Sequence, residues 1–219
     1  MKIALYSVNV GGYDRPLEPD DASYLGDADV FMFTDNPFES SVWKMKELPK
    51  IVENERKTSR YPKINSHIVL PDYDYTIYFD SNMFINKSPE FYIEKFLQDK
   101  DIALHNNPYR SCLYDEAKEI RDVLKYEKPE IVDAEMKHIQ EDGYPEKNGL
   151  SACHLIVRKN TDKIQKLNDV WWSMVHEYSY RDQLSFNYAC WKTDTTYNKI
   201  KPYKEHIVEI RHKKKKVTY

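Results

Sequence analysis

Tyr75-Thr76-Ile77-Tyr78-Phe79-Asp80-Ser81-Asn82-Met83-Phe84-Ile85 is the stretch from which the rest of the chain is read. Its first five residues are β-branched or aromatic, the pattern of a strand buried on both faces. The run stops at a carboxylate, a hydroxyl and an amide. A parallel strand that ends this way offers oxygen atoms at its carboxyl end, where open α/β sheets place their ligands. Oxygen donors of this kind suit a hard divalent ion, Mg²⁺ or Mn²⁺, better than zinc. Asp, Ser and Asn are also frequent turn formers, so a plain turn is the competing reading of the triplet.

With 219 residues, 41% hydrophobic and 32% charged, the chain is expected to form one domain over 1–219, whole or as the N-terminal part of something longer. A formal charge of -3 argues against a general nucleic-acid binder, which is usually basic. Cys112, Cys153 and Cys190 are widely spaced, with no CxxC pair, and read as reduced thiols of a cytoplasmic protein. No apolar run reaches membrane-spanning length, and the first residues lack the shape of a signal peptide. Eighteen tyrosines are many for this length; such side chains often line sites where a flat face meets a sugar or base.

Outward from the opening stretch, strands and helices alternate. Lys2 to Asn9 reads as a first strand, followed by the turn Gly11-Gly12-Tyr13-Asp14, which either lets a ligand approach the backbone or is a simple loop. Asp29 to Asp35 reads as a second strand, again ending in a polar residue, and Val42 to Leu48 as a short third. Glu53 to His67 reads as a helix that Pro62 should kink or divide, with Arg56, Arg60 and Lys63 on one face. That stripe is either a diphosphate contact or a solvated charged face. Ser88-Pro89 marks a helix start. Leu113, Ala117, Ile120 and Leu124 mark an amphipathic helix, and Glu130 to Gly143 a polar, peripheral one. Ser151 to Val157 reads as an internal strand. The stripe Ile164, Leu167, Trp171, Met174, Val175 and Tyr178 reads as the core face of a long helix. Asp182 stands where one more helix starts, as a carboxylate at its positive end or simply as its cap. The tail is strand-like from His206 to Ile210 and then basic through Lys216.

Polar strand ends gathered on one side point to a doubly wound α/β sheet with a nucleotide site at its carboxyl edge. Four segments, in this order, resemble a glycosyltransferase family long labelled a domain of unknown function, with members among plant, bacterial and large-virus polysaccharide-making enzymes. They are Tyr6 to Asp14, Pro71 to Asn82, Trp171-Trp172 with Tyr178 to Phe186, and Ile207 to Lys213. The resemblance implies a GT-A (Rossmann-like) fold with a mostly parallel sheet, a UDP-sugar donor, a glycan acceptor, and Mn²⁺ or Mg²⁺ held by an Asp-x-Asp-like motif. Here that motif has Asn82 in place of its last aspartate.

By position, the resemblance makes Asp80, Asn82 and His212 the metal ligands, with His206 in reserve. Ser81 would contact the donor ribose or sugar. Arg56, Arg60, Lys63 and Lys213 would meet the nucleotide, and Val8, Asn9 and Tyr13 would frame its base. Asp182 and Gln183 would face the anomeric carbon of a retaining enzyme, while His105, Arg110 and Ser151 would line the acceptor side. Two readings of other classes compete. One is a non-catalytic module that binds a nucleotide-sugar or a glycan. The other is a metal-dependent phosphoryl-transfer enzyme, disfavoured because no Walker-type loop accompanies Asp80.

Overall fold

The computed structural model describes residues 1–49, 52, 54–201 and 205–209. Strand β1 (Ile3–Asn9) has β2 (Asp29–Thr34) on one side and β4 (Tyr75–Phe79) on the other, and β3 (Lys44–Glu47) lies outside β2. Beyond β4 come β7 (Ser151–Lys159), β6 (Ile102–Asn106) and β8 (Asn198–Ile200). Every pairing in this sheet is parallel except the two made by β7. Because only β7 is reversed, the carboxyl ends of β1, β2, β4 and β6 and the amino end of β7 share one edge. β5 (Met83–Ile85) leaves that edge and forms a separate antiparallel ribbon with β9 (Ile207–Glu209).

Side chains that alternate along the strands divide the interior into two layers. Leu5, Ile77, Phe79, Leu155 and Val157 face one core, closed by Tyr92, Ile93 and Phe96 of α3 (Pro89–Phe96). Ala4, Tyr6, Tyr78 and Ile156 face the other, closed by Ile64 of α1 (Glu55–Ile64), by Ile164, Leu167, Trp171 and Val175 of α6 (Asp162–Glu177), and by Phe186 and Ala189 of α7 (Phe186–Lys192). The long stripe is thus core, as expected. The Ser88 hydroxyl accepts from the Phe91 N–H, so Ser88-Pro89 starts α3 as read.

Three local expectations are revised. Pro62 lies inside the last turn of α1, and the break falls at Asn65, after which a short α2 (Ser66–Val69) follows. The physical reason is a buried guanidinium: Arg158 of β7 donates to the terminal carbonyls of Lys63 (2.7 Å) and Ile64 (2.9 Å), which closes α1 from outside. The helix from Leu113 is α-helical only to Lys118 (α4) and continues as a π-helical stretch, Glu119–Leu124. The next helix, α5 (Pro129–Glu141), is not peripheral, since it buries Val132, Glu135 and Ile139. Together α4 and α5 form a helical insert between β6 and β7.

Candidate active site

The loops after β1 and β2 border an open cleft of about 440 Å³ whose lining includes Asn9, Gly12, Asp14, Arg15, Asn36 and Phe38. Gly11 and Gly12 both have positive φ (61° and 57°), a backbone state open to glycine at little cost, and the Asp35 carboxylate accepts from the Gly11 N–H at 2.9 Å. Asn9 pins Asp14 from both sides, donating to its carbonyl (3.0 Å) and accepting from its N–H (3.1 Å). Asp14 then accepts from the Ser81 hydroxyl at 2.9 Å. The cavity and the Asp80 turn are therefore joined by one hydrogen bond between side chains that are both buried.

Asp80 sits just past β4 with its side chain 32% exposed, and it accepts a 2.7 Å bond from the Tyr78 hydroxyl. Behind it Lys63 is buried, at 4% side-chain exposure. Its ammonium lies 2.6 Å from Asp182, 3.8 Å from Asp80 and 4.9 Å from the Tyr78 ring centre. Arg60 reaches Asp182 at 3.7 Å. Burial pushes the Asp182 carboxyl up, but Lys63 and Arg60 outweigh it and hold it below the ordinary carboxylate range. Asp182 lies in a 3-10 turn, Asp182–Leu184, ahead of α7. Its carboxylate serves as a counter-ion to these cations, and no side chain caps α7. The turn is fixed by Trp171, whose indole N–H donates to the Asp182 carbonyl at 2.9 Å.

The other expected residues take varied places. Val8 is core. Tyr13 is half-buried, in the fields of Asp14, Arg56, Arg181 and Arg60. Arg56 lies over the Tyr180 ring at 4.7 Å and donates to its hydroxyl, which in turn donates to the Tyr126 carbonyl. Gln183 donates to Glu116, and the same buried carboxylate accepts from Arg110, so two residues predicted from distant segments meet at one anchor in the helical insert. His105 contacts His154 ring to ring; burial and this neighbour take it down to about 2. His154 is lowered to about 4 by burial, against the pull of Asp80. Ser151 is fully buried, its N–H donating to Asn187 at 2.9 Å. His206 packs against Phe96 and Phe91, ring centres 5.0 and 5.9 Å away. His212 and Lys213 lie outside the described residues.

Sequence reading missed Asp14, Asn36, Phe38, Tyr78, Glu116, His154 and Arg158. The Asn36-Pro37-Phe38 turn after a strand was a usable signal for the cavity. The others are set by packing between distant segments.

The donor chemistry fits a hard divalent ion only in part. Asp80 offers one accessible carboxylate, while the Asn82 amide oxygen lies beneath the surface. Among the described residues no group of three His, Cys, Asp or Glu gathers at one point. Such an edge suits an ion whose remaining ligands come from a bound diphosphate.

The chain is similar to the solved apo structure of the bifunctional glycosyltransferase WbbM, with a TM-score of 0.50, 9% identity, and coverage of 92% of this chain and 39% of that one. It is also similar to the galactosyltransferase LgtC solved with donor and acceptor sugar analogs (TM-score 0.46, 10% identity, 84% of this chain and 69% of that one). The chain thus spans well under half of the WbbM chain. The mostly parallel sheet and the likeness of its fold to WbbM define the class: a GT-A glycosyltransferase fold. The chain belongs to the TOD1/MUCI70 glycosyltransferase-like domain family, whose model matches residues 13–213. No curated protein matches the sequence. Among the described residues no helix is long and apolar enough to cross a membrane.

Proposed function

We propose that this glycosyltransferase domain moves a hexosyl or deoxyhexosyl group from a UDP-sugar to a glycan acceptor, with retention at the anomeric carbon. The observation that carries the reading is the hydrogen bond from Ser81 to Asp14. It ties a cavity of the size a nucleoside needs to the turn bearing the exposed Asp80, so a base held in the cavity has its phosphates led toward that carboxylate. In the cavity, Phe38 offers an aromatic face, and Asn36 offers a donor and an acceptor for a pyrimidine edge.

A bound Mn²⁺ or Mg²⁺ would supply Lewis-acid stabilisation of the departing diphosphate. Asp80 is the carboxylate to hold it, Asn82 shapes the turn behind, and His212 is the further ligand that the family resemblance suggests. Arg56, Arg181 and Arg60 surround Tyr13 with positive charge, which favours the anionic half of the donor. Asp182 and Gln183 are assigned to the sugar side by the family resemblance; Lys63 and Arg60 keep Asp182 ionised, and it would act there as the counter-ion that holds Lys63 and Arg60 in place. Glu116, through Gln183 and Arg110, joins this side to the insert that would bound the acceptor.

The test is release of UDP from a panel of UDP-sugars with Mn²⁺ present, in the parent and in Asp80→Ala. Turnover that survives the substitution unchanged sinks the assignment of Asp80. One observation favours a second reading, a binding module: the Asp-x-Asp position carries a sealed amide instead of a second open carboxylate. Calorimetry that finds UDP bound, with no transfer to any acceptor, selects that reading.

A further inference from the structure

We propose that Lys63 is a positioning residue with a second effect: as a built-in cation it disfavours a divalent ion at the Asp80 edge until a diphosphate arrives with it. The sequence placed Lys63 on a face with Arg56 and Arg60, as a nucleotide contact. The structure buries it instead between two carboxylates, 2.6 Å from Asp182 and 3.8 Å from Asp80, with the Tyr78 ring beneath. Its main chain has little freedom. The Lys63 carbonyl accepts from both the Tyr6 hydroxyl (2.8 Å) and Arg158 (2.7 Å), and both donors are fully buried. With its main chain anchored and its side chain buried, the ammonium is held between Asp182 and Asp80 by its pairing with both carboxylates.

Charge decides the consequence. Asp80 and Asp182 contribute two negative charges and Lys63 and Arg60 two positive ones, so the ion pairs balance, and Arg181 nearby adds further positive charge before any ligand binds. A divalent ion seated on Asp80 must sit within a few ångströms of the Lys63 ammonium, and the repulsion between the cations persists there because Lys63 itself is buried, even though water reaches the one-third-exposed Asp80. A nucleoside diphosphate adds at least two negative charges at the same edge and reverses the balance. The ion then enters as its nucleotide complex and is poorly held alone. This step rests on the donor reading given above; the part played by Lys63 in weakening the free-ion site does not.

The test is a UDP-free Mn²⁺ titration of the full chain, followed by the electron paramagnetic resonance signal of unbound Mn²⁺. Lys63→Gln removes the charge and leaves two carboxylates facing one space, so its Mn²⁺ affinity should rise at least about tenfold over the parent. Lys63→Arg keeps the charge and should match the parent. Lys63→Gln with Asp182→Asn should lose the gain. An unchanged affinity in Lys63→Gln, or an equal gain in Lys63→Arg, overturns the proposal.

Should Lys63→Gln fail to fold, Asp182→Asn retains the buried lysine and leaves Asp80 outnumbered by cations. UDP-free Mn²⁺ binding should then weaken and metal-free UDP binding should strengthen; no change in either overturns the proposal. If neither the parent nor any variant binds UDP, the donor reading fails while the Mn²⁺ comparison still decides the role of Lys63.

Discussion

The two halves of the sheet's carboxyl edge are built on opposite plans. On the β1–β2 side, short loops leave a cavity open to solvent, and the polar groups around it are tied by hydrogen bonds within the loop after β1 and between that loop and the one after β2. On the β7–β6 side, a helical insert fills the space and buried carboxylates are paired with cations: Asp182 with the buried Lys63 from a distant part of the chain, and Glu116 with the half-buried Arg110 one loop before it. The open half can admit a ligand without rearranging. The filled half gains rigidity from electrostatics and is exposed to any change that strands one member of a pair, since an unpaired buried charge costs several kcal/mol.

Perturbations at the junction of the two halves should act most strongly. Asp80→Ala should lower UDP release by roughly a thousandfold and the melting temperature by only a few degrees, the latter because the buried Tyr78 hydroxyl loses its acceptor. Arg158→Ala should cost about 3 kcal/mol in urea unfolding, since it leaves the terminal carbonyls of α1 and the Asn168 amide oxygen without their buried donor. A small effect there would mean that α1 is held by packing alone.

Weaker effects should separate the halves. Glu116→Gln should cost about 2 kcal/mol and loosen Gln183 and Arg110 together; a double-mutant cycle with Arg110→Ala measures how much of the loss they share. Acid should act on the filled half. The folded state lowers His154 to about 4 from an unfolded value near 6.5, so the unfolded chain binds the extra proton between those values. Stability is then fully present above about pH 6.5 and falls as pH drops toward 4, by at most about 1.4 kcal/mol per pH unit from this group. His154→Gln should flatten that slope in denaturant titrations at stepped pH. The smallest effect belongs to the open half: Phe38→Ala should raise the donor KM several-fold, about 1 kcal/mol, with kcat unchanged.

The same division explains what could be read from sequence. β1, β2 and β4 are runs of apolar residues that end in Asn9, Asp35 and Asp80, a local pattern that needs no partner to be recognised, and with it came the sheet and one edge of the site. Periodicity also put Arg56, Arg60 and Lys63 on one face, but it carries no information on depth. Whether that face meets solvent or a second carboxylate depends on where Asp182 arrives after another long excursion of the chain. Glu135 shows the limit again: in a helix that reads as polar and peripheral, its carboxylate is fully buried, and burial pushes it well above the ordinary range. Pro62 is the local signal for a break in this helix, but the break falls after Ile64 because Arg158, which closes the helix, enters from β7.

The ribbon of β5 and β9 adds a mechanical link. Met83 pairs with Glu209 directly after the Asp80-Ser81-Asn82 turn, and Phe84 and Ile85 pair with Val208 and Ile207. Three cross-strand rungs thus zip Ile207–Glu209 to the segment that leaves the Asp80 turn, so a substitution that weakens this ribbon loosens the turn from the side opposite Lys63.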